Sequence, residues 1–197
     1  HTQENNPIEL IRKACNNRQK AVLVTLFDVQ DKKNPLMGTI CLLDEQEHFE
    51  STLALDINKS ILVDARQVLT NASAHFSQYK MGEKSVQAFF DYIQPPISIV
   101  IVGAGNDAIP LSQMADLLGW EVKVVDGRNT HAKQDRFISA CQVLVSKPEK
   151  VLEQIKIDNR TCFVLMTHNY QYDLQMLKAL QRLVPFLLSV SIQFALS

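Results

Sequence analysis

A chain of 197 residues with 20 basic and 21 acidic side chains, a net charge of −1, has surface enough to bury for one large domain or two small ones. It presents no broad electrostatic field to draw in DNA, RNA or an anionic membrane. Its four cysteines, Cys15, Cys41, Cys141 and Cys162, include no CxxC pair, which argues against a zinc ribbon or a dense disulfide framework and fits a reducing, cytoplasmic setting.

In chain order, the first twenty residues set Glu4, Glu9, Arg12 and Lys13 among the apolar positions, so they lack the apolar core of a signal peptide. Pro7 with Ile8, Ile11 and Ala14 predicts a helix, and AVLVTLFDV (21–29) predicts a buried strand. DKKNP (31–35) reads as a turn, LMGTICLLD (36–44) and HFESTLALD (48–56) as two strands, and NKSILVDARQVLTNAS (58–73) as a helix. HFSQY (75–79) and KSVQAFFDYI (84–93) suggest further strands, the second being compatible with a helix by composition. The consecutive prolines of QPP (94–96) stop either kind of element, so a domain boundary is expected there, between a small α+β domain at 1–94 and a second domain at 97–197.

The pattern then alternates. ISIVIV (97–102), EVKVVD (121–126), CQVLV (141–145) and TCFVLMT (161–167) read as strands, and DAIPLSQMADLLG (107–119), KVLEQI (150–155) and YQYDLQMLKALQRL (170–183) as helices. Strands alternating with helices imply parallel pairing, hence a Rossmann-like, doubly wound α/β domain. The tail LVPFLLSVSIQFALS (183–197) is uncharged but too short to span a bilayer. It reads as a strand that leaves a sheet edge open, and pairing with a second copy through this end is the expectation.

Gly103, Gly105 and Ala108 in GAGNDA fit G-x-G-x-x-G/A between a strand and a helix, the context that motif requires. Gly103 would permit the tight turn, Gly105 would let backbone approach a phosphate, and Ala108 would let the helix pack closely. The N–H groups near Ala104, Asn106 and Asp107 would then favour an anion, with Asn106 or Asp107 capping the helix. Asp126 ends the second strand, where a carboxylate commonly holds a ribose hydroxyl, and Arg128 could meet a further phosphate. His168 and Asn169 follow the last strand at the edge where such sheets bind ligands; His168 or Thr167 could equally cap the next helix. Arg136 is placed either to hold the loop or to reach a phosphate, Tyr170 and Asp173 to fix local geometry, and Trp120 to pack. His48 and His75 stand apart from any set with metal-ligand spacing.

IVGAGNDAIPLSQMADLLGWEVKVVDGR (101–128), Arg136-Phe137 and MTHNYQYDLQML (166–177) together resemble the C-terminal Rossmann domain of the xanthine dehydrogenase accessory proteins, the XdhC/CoxI type, over about residues 97–182. The resemblance implies a maturation chaperone rather than an enzyme. Such a protein binds the molybdenum cofactor, protects it while its sulfido ligand is installed by a sulfurtransferase, and loads it into an apo molybdenum hydroxylase. The first half departs from the family, whose members carry Gly-Ser-x-Pro-Arg and Ser-Gly-Gly-Cys turns. DVQDKKNPLMG (28–38) keeps only Pro35 and Gly38, and HFESTLALDINKS (48–60) has neither the cysteine nor the paired glycines. Two other readings stand beside the chaperone: an NAD(P)-dependent oxidoreductase, for which the chain offers no proton donor besides His168, and a degenerate nucleotide-binding scaffold.

Overall fold

The computed structural model describes residues 6–28, 38–51, 55–81 and 84–182. The turn expected at 31–35 and the C-terminal segment, with the pairing expected through it, lie outside these residues. The chain divides into two compact units, His1–Pro95 and Pro96–Ser197.

In the first unit, helix α1 (Pro7–Asn16) opens on Asn6, whose side chain accepts from the Ile8 N–H. Strands β1 (Ala21–Phe27), β2 (Ile40–Asp44), β3 (Phe49–Glu50), β4 (His75–Met81) and β5 (Lys84–Ile93) form an antiparallel sheet in the order β3-β2-β1-β5-β4. Val22, Val24 and Leu26 of β1 alternate towards helix α2 (Leu55–Asn71), which meets them with Ile57, Ile61, Ala65 and Val68. Ala21 and Leu23 face the other way and are covered by Leu10 and Ala14 of α1. The strand expected at 48–56 is only two residues long, and the helix starts at Leu55 instead of near 58. Ile57 belongs to the helical period with Ile61, and that burial outweighs the strand-like alternation around it.

In the second unit, β6 (Ser98–Val102), β7 (Glu121–Asp126), β8 (Gln142–Val145) and β9 (Thr161–Leu165) are all parallel, in the order β8-β7-β6-β9. Every residue of β6 is buried, as expected of a strand covered on both faces. Ile99 and Ile101 pack with Ala108 and Ala115 of α3 (Ala108–Leu117). Val100 and Val102 pack on the opposite face with Val151 of α4 (Pro148–Gln154) and Met176 and Leu180 of α5 (Tyr170–Gln181). The sheet is therefore doubly wound. β7 lies on one side of β6 and β9 on the other, so the chain reverses its direction of travel at β6, and a crevice opens at the carboxyl ends of β6 and β9.

Candidate functional site

The crevice is built on a close approach of backbone to backbone. Gly103 follows β6 with φ at +121°, and a Cβ there would lie 2.5 Å from the Met166 carbonyl oxygen and 2.8 Å from the Thr167 nitrogen. Only glycine satisfies both the conformation and the contact. The Gly103 N–H donates to the Val125 carbonyl at 2.7 Å and the Met166 N–H to Val102 at 2.8 Å, which ties the turn to both neighbouring strands. Ala108 is fully buried against the sheet, the close packing that its small side chain allows.

Asp126, at the end of β7, is buried and accepts four hydrogen bonds. The backbone N–H of Ala104 and Nη2 of Arg128 donate to Oδ2, each at 2.8 Å; the Arg128 N–H and Nε donate to Oδ1 at 2.8 and 3.0 Å. Burial pushes this carboxyl up, but the bonds from Arg128 and the Ala104 N–H outweigh it and hold the group below the usual carboxylate range. The same side-chain pairing raises the Arg128 guanidinium further above its ordinary value.

Arg136 clamps the glycine turn from the loop beyond. Its Nη1 donates to the carbonyls of Ala104 at 2.8 Å and His131 at 2.7 Å, and its Nη2 to Asn106 Oδ1 at 2.9 Å. Those acceptors are neutral, so among the described residues this cation has no carboxylate partner. Across the crevice, His168 Nε2 lies 2.8 Å from Asp107 Oδ2, with His168 held at φ +56°.

The capping expectations need correction. Asp107 sits at the N-cap of α3 but makes no side-chain cap bond, because its carboxylate faces His168 while Asn106 is taken by Arg136. At α5 the cap is Asn169, which accepts from the Gln171 and Tyr172 N–H groups at 3.1 and 3.2 Å. Thr167 instead donates to buried Asp173 at 2.7 Å. Asn169 therefore has its side-chain oxygen turned into the helix, not towards a ligand.

Two cavities flank the turn and share Arg128, Thr167 and His168. One, of about 370 Å³, is also lined by Gly105, Asn106, Thr130, His131 and Arg136. The other, of about 270 Å³, adds Asp126, Gly127, Asn169 and Tyr172. Burial and the nearby Asp126 push the Tyr172 phenol up to about 12, and its hydroxyl donates to the Ser146 carbonyl at 2.6 Å. The sequence-predicted residues thus converge on one edge of the sheet. Thr130, His131 and Tyr172 are wall residues that the sequence did not single out, and Thr167, read there only as a possible helix cap, lines both cavities; no local motif signals that role. The first unit has a cavity of about 530 Å³ beside Lys13, Asp44, His48 and Glu50. Its charged groups pair with one another, Lys13 with Glu50 and His48 with Asp44.

Comparison with known proteins gives this geometry a lineage: residues 99–190 match the sequence model of the XdhC Rossmann domain. Over this stretch, just under half of its length, the chain is similar to the XdhC family. It is also 29% identical over 129 residues to a Bacillus subtilis (strain 168) protein described as a probable xanthine dehydrogenase subunit. That alignment covers 66% of this chain and 35% of the relative. The chain therefore spans about a third of the length of the curated relative it matches. A crystal structure of a xanthine dehydrogenase from Bacillus halodurans matches with a TM-score of 0.50 at 16% identity, over 97% of this chain and 82% of that one. That likeness is one of fold. No described helix is long and apolar enough to cross a membrane.

Proposed function

We propose that this chain assists the maturation of a molybdenum hydroxylase by holding the molybdenum cofactor at the crevice of its XdhC domain. The apo-hydroxylase and a cysteine-derived sulfur donor, a sulfurtransferase, are the partners this reading requires. The observation that carries it is the convergence of the glycine turn, Arg128, Arg136 and His131 on a cavity of about 370 Å³ in a domain of this family. That volume suits a small organic ligand, and the Arg136 guanidinium beside backbone N–H groups suits one that bears a phosphate.

The residues present fit the organic part of such a cofactor better than its metal. Arg136 and the backbone at Gly105 and Asn106 would hold the phosphate, while Thr167 and Tyr172 would flank the neighbouring cavity. No cysteine lines either cavity, so molybdenum would keep the sulfur ligands of its own pterin. When bound, that group supplies redox chemistry to the hydroxylase that receives it, and the work of this chain is to bind, orient and shield.

The test is capture. Purified full chain is incubated with released molybdenum cofactor, passed through gel filtration, denatured and oxidised, and the pterin is read by fluorescence. Pterin co-eluting with protein is expected. Protein that elutes free of pterin while a known cofactor carrier retains it would sink the proposal.

A further inference from the structure

A dinucleotide on a Rossmann turn places its ribose hydroxyls on the carboxylate that ends the second strand. Here that carboxylate is already full. A carboxylate offers about four acceptor positions, and those of Asp126 are filled by the Ala104 N–H, the Arg128 N–H, Arg128 Nε and Arg128 Nη2, all at 2.8–3.0 Å. The Asp126 side chain is only 4% exposed, and the Arg128 side chain, half exposed, lies over it. A ribose diol would have to strip both guanidinium bonds from a buried charge before making its own. Arg128 is thereby unsuited to the second task given to an arginine at this position, meeting a 2′-phosphate, because its charge is already neutralised. Arg136, bonded to neutral acceptors, carries the charge that a ligand anion would meet.

We propose that Asp126 and Arg128 form a self-occupied ribose site, a specificity determinant that turns adenine dinucleotides away and reserves the crevice for an anion needing no ribose carboxylate. The inference rests on reading the crevice as the cofactor site. It goes beyond that reading by naming what the site rejects and which residue rejects it.

NADH fluorescence and calorimetry with NAD⁺ and NADP⁺, on the full chain, are the direct probes. The wild type is expected to bind all three no tighter than millimolar. Arg128→Ala keeps the backbone N–H that donates to Asp126 but uncovers the carboxylate, and it is expected to gain NADH affinity by about tenfold or more, the scale of one charge-assisted bond. Arg128→Gln, which retains a side-chain amide donor, is expected to fall between, and it replaces the alanine variant should that fail to give a cooperative melt. Micromolar NADH or NAD⁺ binding by the wild type overturns the proposal whatever the variants do. So does a folded Arg128→Ala chain with no gain. Pterin capture measured on the same preparations separates the two readings: dinucleotide binding with capture intact sinks only the exclusion, whereas dinucleotide rejection without capture sinks only the maturation role.

Discussion

Gly103 is the residue on which the crevice most depends, and the outcome of changing it follows from its surroundings. A Cβ at 2.5 Å from the Met166 oxygen meets backbone of β9's end, which cannot swing aside, at a φ of +121°. Gly103→Ala is expected to lower stability by about 3 kcal/mol or more, read by denaturant unfolding. Gly105 differs, since a Cβ there would meet the Asp107 carboxylate, the end of a half-exposed side chain. Asp126 makes a pH prediction at the same scale. Its folded-state carboxyl lies below the ordinary value, so the stability it contributes is complete above about pH 4, where the unfolded carboxylate is ionised as well. The contribution is lost as pH falls from there through the lower folded value. The stability difference between wild type and Asp126→Asn should therefore narrow on acidification below about pH 4 and stay constant from about pH 5 to 7. A difference that widened with acid would contradict the assignment. The glycines and Asp126 were legible in the sequence because strand, turn and helix surround them locally. The role of Arg136 was open between loop and ligand, since its acceptors at Ala104 and Asn106 lie about thirty residues away and two of its three partners are main-chain carbonyls.

At the level of elements, β6 to β9 and the three helices of the second unit stood out because a strand buried on both faces is a continuous apolar run, as in SIVIV. The short β3 and the start of α2 did not, since an alternating stretch such as STLALD satisfies a strand template until Ile57 is seen to share a face with Ile61. Capping was the other blind spot. Asn106, Asp107, Thr167 and Asn169 are all competent caps by type, and only tertiary partners decide among them: Arg136 takes the first, His168 the second and Asp173 the third. Asn169→Ala is expected to cost about 1 kcal/mol through the lost α5 cap. Thr167→Val, which leaves buried Asp173 without its 2.7 Å donor, is expected to cost about 1–3 kcal/mol. Thermal or denaturant melts check both, and the ranking matters more than either value: Thr167→Val should be the worse.

For the whole molecule, the two units carry different kinds of information. The second holds the glycine turn, the family match and the cation-lined cavity, whereas the first packs an ordinary antiparallel sheet between α1 and α2 and lacks the cysteine turn expected of its relatives. If the crevice at the carboxyl ends of β6 and β9 holds the cofactor, as proposed, then filling it must release the pterin. Gly105→Val tests it most directly, because the substitution fills the approach to the turn at a modest cost in stability, about 1 kcal/mol or less once Asp107 moves off. Pterin retained after gel filtration is compared between wild type and Gly105→Val at matched melting temperature. Capture by the wild type and its loss in the variant are expected; equal retention by both chains would place the cofactor somewhere other than this turn.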